Sequence, residues 1–329
     1  MSAQLLLHGV EKVYILARTP SKYEDSKEQW LHTRGITIED SGKRSEYIKC
    51  DLSDIRDVKR VADELLSKLD RLDMLINNAG TCSVSSFPPS SIKSDRSSMA
   101  GLPTVPDYTL SPQGVETIFA TNHVGHYVLT NLLLPLIEST ASKYGDARIV
   151  VTSSSFHMGC QELDLSLLTS PTRIKWPASI DSCWRYARSK LATILFTRQL
   201  AHLLQKKGAN NVYINCFFPG NIPTEAMDTW KQLFGPLGYL MKGTFWILGQ
   251  STTDAAATAI FLAASQEVAR GDLKGKYFIP IATEDKTSKI AEDMDLARNL
   301  WYWSDSKVAE TLGKDWQKGG KSSSAEGKA

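Results

Sequence analysis

Cysteine is scarce and scattered: Cys50, Cys82, Cys160, Cys183 and Cys216 form no CxxC pair and have no histidine at metal-ligand spacing. A disulfide framework and a zinc site are thereby excluded as organising features, and no metal is expected; thiols packed as small hydrophobes in a reducing compartment are. An excess of one charge is also lacking, with 38 Lys and Arg against 36 Asp and Glu. No basic block runs along the chain to neutralise phosphates, so no nucleic-acid partner is expected. No run approaches the ~20 apolar residues of a membrane span, and the opening MSAQLLLHGVEK is too short in apolar residues for a signal peptide. What is present is an ordinary globular balance, 42% hydrophobic and 22% charged over 329 residues. That composition supports a sizeable core and a cytoplasmic protein, with one large domain as the default.

Short apolar, β-rich runs alternate with longer amphipathic stretches, the pattern of a parallel sheet flanked by helices. Strands are predicted at 13–17, 47–51, 74–76, 148–152, 212–217 and 276–281, near-continuous apolar runs of the kind that doubly covered strands show. Helices are expected at 55–69, in a long stretch opened by Ser111 and Pro112 as cap and first-turn residues, and at 183–207. The fold class expected is therefore α/β with a doubly wound parallel sheet, in a single domain over 1–316. Two stretches interrupt the alternation. Residues 81–106 are rich in Ser and Pro, have no period, and exceed the usual length of a structureless loop, which leaves a lid, a disordered excursion or something foreign. Residues 317–329, dominated by Gly, Ser and Lys, read as a disordered tail.

The segment YARSK places Tyr186 and Lys190 four apart on a helix, hence on one face. Spacing alone decides little, because YEDSK offers Tyr23 and Lys27 at the same spacing inside a polar stretch. Context favours Tyr186, which lies near the start of an amphipathic helix downstream of a strand ending in Ser153, Ser154 and Ser155. A phenol is a poor acid or base at neutral pH until a fixed ammonium stabilises its phenolate, and Lys190 can supply one. A strand-end hydroxyl, Ser154, can then donate to an oxygen where negative charge develops. The alternative is a surface tyrosine beside a solvated lysine. Three further segments read equally well as structure or as site: Asn77, Asn78, Ala79 and Gly80 after the strand DMLI, PGNIPT from Pro219 to Thr224 after YINCFF, and Asn122 in an otherwise apolar helix face.

Taken together and in order, VYILART, DLSD, NNAG, TNHVGHYVLT, RIVVTSSS, YARSKLATILF and PGNIPT resemble the short-chain dehydrogenase/reductase family. Within it the chain looks most like the retinol-dehydrogenase-like and WW-domain-oxidoreductase-like branch, including fungal members associated with secondary metabolism. The resemblance implies a Rossmann-like fold. It implies that Tyr186 exchanges the proton, that Lys190 supports it and holds the nicotinamide ribose, that Ser154 orients the substrate oxygen and that Asn122 anchors a water chain behind Lys190. It further implies that Asp51 and Leu52 border the adenine, that Asn77, Asn78, Ala79 and Gly80 support the adenosine ribose, and that Pro219, Gly220, Ile222 and Thr224 meet the nicotinamide end.

Two departures accompany the resemblance. The family's first strand and glycine-rich, phosphate-cradling turn are not found, SAQLLLHGVEK looking instead like the end of the helix that follows them, and a Ser-rich insertion fills 81–98 in the manner of a translated intron. Arg18, with Lys22, follows the strand 13–17 where an acid would otherwise bond the ribose hydroxyls, so NADP is the cofactor expected. The apolar, aromatic stretch 230–248 lies where the family places its substrate lid, and an apolar small-molecule substrate, subunit packing or weak membrane-surface contact would each use it. The expected activity is NADP-dependent interconversion of a ketone and secondary alcohol, or an aldehyde and alcohol. The alternative is a catalytically weak pseudoenzyme serving as scaffold or regulator.

Overall fold

The computed structural model describes residues 1–32, 35–37, 42–81, 108–169, 178–221 and 252–317. The Ser-rich insertion beyond Thr81, the apolar stretch 230–248, Ile222, Thr224 and the tail beyond Gln317 lie outside the described residues.

A short helix α1 (Ser2–Leu7) leads into β1 (Val13–Ala17), α2 (Pro20–Leu31) and β2 (Ser45–Lys49), the two strands pairing in parallel. Helix α3 (Ile55–Lys68) follows, its start capped by Asp54, whose carboxylate accepts from the Arg56 N–H. The second sheet has the order β3 (Met74–Asn77), β4 (Ala147–Thr152), β5 (Val212–Phe217), β6 (Tyr277–Ile279) and β7 (Thr283–Glu284), all parallel except the edge strand β7. Among the described residues no ladder joins β1 to β3, so the expected single sheet stands as a two-stranded and a five-stranded piece.

Side-chain alternation explains why the five-stranded piece is covered on both faces. In β4, Ile149 and Val151 belong to the large core cluster, while Val150 between them belongs to a second, smaller one. β5 repeats this with Ile214 and Cys216 on one side and Phe217 on the other. The large cluster takes in α5 (Gly125–Tyr144), α6 (Ala178–Lys207) and α9 (Met294–Leu312), and the small one α7 (Thr252–Ala264) and α8 (Gln266–Arg270). Both faces are apolar, so the run IVV carries no polar alternation.

The long helix after the insertion begins later than Ser111 and Pro112 suggested. Those residues open a turn, with Gly114 at a φ of 72° donating its N–H to the Ser111 carbonyl, and the helix starts as α4 (Thr117–Phe119) under a Glu116 cap. It passes through one π-helical turn, Ala120–Val124, before continuing as α5. β2 also lies two residues earlier than predicted. Asp51 Oδ1 accepts from the N–H and hydroxyl of Ser53 at 2.9 and 2.7 Å, a local turn that draws the backbone out of the ladder.

Among the described residues, four cysteines are free, no group of three or more His, Cys, Asp or Glu is placed to hold a metal, and no helix is long and apolar enough to cross a membrane.

Candidate active site

The chemistry-bearing residues gather where β3 and β4 end and α6 begins its buried course. Lys190 is 4% exposed, and its ammonium donates to the Thr152 carbonyl at 2.9 Å, fixing it against the last residue of β4. Its Nζ stands 5.7 Å from the centroid of the Tyr186 ring. Ser153 Oγ donates to the Lys190 carbonyl at 2.9 Å, so strand end and helix are tied in both directions. The decoy pair has a different fate. Tyr23 is buried rather than set in a polar stretch, its hydroxyl 2.9 Å from Ser45 Oγ and its ring stacked on Tyr47 at 5.3 Å.

Ser154 is buried in extended backbone and caps a short 3-10 turn, Ser155–Gly159, its hydroxyl oxygen accepting from the Phe156 N–H at 3.3 Å. The Phe156 ring meets that of Tyr186 edge-on at 5.6 Å, bringing the Ser154 turn to the tyrosine. Asn122 sits on the π-helical turn, a distortion often found at functional sites. Its amide donates to the Thr81 carbonyl and to Ser189 Oγ, both at 2.9 Å, and its oxygen accepts from the Thr81 N–H at 2.8 Å. The Asn122 backbone carbonyl accepts from His126 Nδ1 at 3.1 Å.

Burial governs the histidines here. His126 is pushed down to about 4 by desolvation and then by the nearby Lys190 charge, and His123, which bonds Ser304, falls to about 3 for the first reason and the proximity of His126. His157 is likewise lowered by burial while its Nδ1 donates to the Ser154 carbonyl at 2.6 Å.

The NNAG residues divide. Asn77 is buried and donates to Thr130 Oγ1 at 2.8 Å, anchoring β3 to α5 rather than facing outward. Asn78, Ala79 and Gly80 are exposed; Asn78 accepts from the Thr152 hydroxyl at 3.0 Å. A Cβ on Gly80 would lie 3.2 Å from Asn122 Oδ1 and 3.5 Å from Lys190 Nζ. Pro219 is half-buried beyond β5, and Gly220 is buried at a φ of 93°, a turn only glycine enters readily. Arg18 follows β1 directly and Lys22 lies exposed in the first turn of α2. Leu52 is buried, its carbonyl pressed against Gly125.

A cavity of about 280 Å³ adjoins the Ser154 turn, its lining including Ser155, His157, Phe218, Tyr277, Ile279 and Asp285. The residues that the sequence did not single out are Thr81, Ser189 and His126, which hold Asn122, and the buried pair Glu116 and Arg185. Glu116, an acid just ahead of the run TIFA, was the one local signal; Arg185 stands among Asp181, Arg188 and Ser189 and offered none.

The sequence profile of the short chain dehydrogenases matches residues 3–161. A short-chain dehydrogenase/reductase of Armillaria gallica is 30% identical over 300 residues, covering 91% of this chain and 82% of its own. The chloroplastic short-chain dehydrogenase TIC 32 A of Brassica napus is 31% identical, covering 91% and 81%. Retinol dehydrogenase 14 of Mus musculus is 35% identical over 255 residues, which span 76% of this chain but 63% of that protein. Among solved structures, the RhlG/NADP active-site complex of Pseudomonas aeruginosa superposes with a TM-score of 0.56 at 21% identity, covering 84% of this chain and 88% of that one. Levodione reductase gives the same TM-score at 17% identity, covering 84% and 89%. At those identities the structural likeness is one of fold, and it agrees with the sequence relatives: the chain belongs to the short-chain dehydrogenase/reductase family.

Proposed function

We propose that this protein is an NADP-dependent oxidoreductase that interconverts a carbonyl and an alcohol on an apolar small molecule, of the kind found in secondary metabolism. One observation carries the reading: a buried ammonium, Lys190, fixed by the Thr152 carbonyl and 5.7 Å from the Tyr186 ring. An ammonium so placed favours the phenolate and makes a phenol competent to exchange a proton near neutral pH. In the reducing direction the Tyr186 hydroxyl gives its proton to the carbonyl oxygen; in the oxidising direction the phenolate takes the alcohol proton. The Ser154 hydroxyl hydrogen donates to the same oxygen, steadying it as charge develops. Asn122, locked by Thr81 and Ser189, keeps the helix turn behind Lys190 in place.

A bound nicotinamide dinucleotide supplies or receives the hydride. The residues leave room for it: the bare Cα of Gly80 keeps open the space in front of Asn122 and Lys190 that a side chain would crowd. Arg18 and Lys22, beyond β1, are the groups for a 2′-phosphate; Asn78, Ala79 and Gly80 would support the adenosine ribose, and Pro219 and Gly220, with Ile222 and Thr224, would meet the nicotinamide end. The mostly apolar cavity beside Ser155 supports an apolar substrate.

The test is titration with NADPH and NADH, followed by turnover of hydrophobic aldehydes and ketones. Tighter binding of NADPH, weakened selectively by Arg18→Ala, and turnover lost in Tyr186→Phe are the expected results. Equal affinity for both nucleotides overturns the NADP assignment. Binding without any turnover favours a scaffold or regulatory role instead.

A further inference from the structure

Arg185 immediately precedes Tyr186, yet it faces a different partner. Its Nη1 lies 3.2 Å from Glu116 Oε1 and its Nε 3.0 Å from Asp181 Oδ2, with the Tyr108 ring 5.7 Å from Cζ. Arg185 is 3% exposed and Glu116 1%. The Glu116 carboxylate is used twice more, Oε1 accepting from the Ile118 N–H at 3.1 Å and Oε2 from the Phe119 N–H at 2.9 Å, which together cap the helix that reaches Asn122 six residues on.

A second, neutral connection runs between the same two helices. The Asn122 amide donates to Ser189 Oγ at 2.9 Å, and the Ser189 hydroxyl donates to the Tyr186 carbonyl at 2.7 Å. Tyr186 therefore sits on α6 between two cross-links to the α4–α5 helix, a charged one at the residue before it and a neutral one three residues after it. A buried ion pair is poor evidence for stability, since an apolar pair of similar volume often does as well. Asp181 lies on the same helix as Arg185 and orients the guanidinium; the contact to Glu116, a carboxylate committed to a helix cap, is the one that ties the rotation and axial position of α6 to the neighbouring helix.

We propose that Glu116 and Arg185 are positioning residues that set the placement of Tyr186 relative to Lys190 and Asn122. The catalytic use of Tyr186 rests on the function proposed above, but the placement itself can be read without turnover.

The experiment compares the wild type with the double variant Glu116→Gln/Arg185→Gln, which keeps the net charge of the chain while removing the cross-link. Tyrosine carrying a 13C label at Cζ is incorporated into the full chain, and the Tyr186 resonance, assigned with Tyr186→Phe, is titrated with pH in the nucleotide-free protein. The expected result is a titration midpoint moved by about half a unit or more in a protein that still melts cooperatively. Where the wild type turns over a hydrophobic aldehyde or ketone, kcat falls about ten-fold or more while KM for NADPH stays within about two-fold, as for a displaced proton donor. Arg185→Lys, which keeps the charge but loses the fork, retains more of the rate than Arg185→Met. An unchanged midpoint, with or without a lower melting temperature, overturns the proposal and leaves the pair a structural contact. A moved midpoint together with full activity in Tyr186→Phe upholds the positioning and instead removes the catalytic reading.

Discussion

Gly80 and Lys190 are neighbours across the site: a Cβ on the glycine would lie 3.5 Å from the lysine Nζ, and 3.2 Å from the side-chain oxygen of Asn122. Neither neighbour yields easily, because Lys190 is bound to the Thr152 carbonyl and Asn122 to Thr81 and Ser189. Gly80→Ala should therefore disturb the site more than the fold, lowering kcat roughly ten-fold through sub-ångström displacement. Thermal melting should stay within a few degrees of the wild type. Unaltered kinetics in the alanine variant would show that the space before Lys190 is not used.

The two tyrosine–lysine pairs separate chemistry from packing. Tyr186→Phe removes the proposed proton donor and should reduce turnover to about 1% or less, with little loss of fold. Tyr23→Phe removes a buried hydroxyl bonded to Ser45 and should destabilise by about 1 kcal/mol while leaving the rate alone. Steady-state kinetics and denaturant melts on both variants check the contrast. A residual rate above a few per cent in Tyr186→Phe would mean another group moves the proton.

What could be read from the chain was what lies close together in it. The strand 212–217 is legible to the residue because VYINCF is a near-continuous apolar run, as a strand covered on both faces requires. Tyr186 and Lys190 were legible through a helix period, and Ser154 through a strand that ends in hydroxyls. The misreadings share a cause in tertiary contact. Tyr23 looked polar in YEDSK because Ser45 and Tyr47, which cover it from β2, lie more than twenty residues away in sequence. The Glu116–Arg185 pair spans 69 positions, beyond any local pattern. The π-helical turn at ATNHV carries no compositional mark, and the early cap at Ser111 was displaced by a turn whose glycine, Gly114, is an ordinary-looking residue in sequence.

Gly125 presents the sharpest steric demand. A Cβ there would stand 2.3 Å from the Leu52 carbonyl oxygen, a backbone atom that cannot swing aside. In an exposed helix, Gly→Ala stabilises by up to ~1 kcal/mol through propensity. Here the sign reverses: Gly125→Ala must push α5 from the segment after β2 and should cost about 3 kcal/mol, seen as a lower denaturant midpoint. Because Asn122 lies just upstream on the same helix, activity per folded molecule should also fall. A midpoint equal to the wild type would mean that the helix and the Leu52 segment part without cost.

Acid should loosen the protein in a window set by its buried histidines. His126 and His123 are held neutral, with folded values of about 4 and about 3 against an ordinary 6.5, and His157 is lowered in the same direction. A base whose folded value is depressed stabilises the fold fully above its unfolded value and less as pH falls, because the unfolded chain takes up the proton first. Stability should therefore be flat from about pH 7 to about pH 8 and decline from roughly pH 6.5 towards 4, each histidine contributing up to about 1.4 kcal/mol per pH unit once its unfolded form is protonated. His126→Gln keeps an amide able to donate to the Asn122 carbonyl and removes one titrating group. Urea melts at pH 7.5, 6.0, 5.5 and 5.0 should give a slope of stability against pH shallower by about one proton in that variant. An identical slope would place His126 in contact with solvent and free to charge in the folded state, contrary to its position behind Lys190.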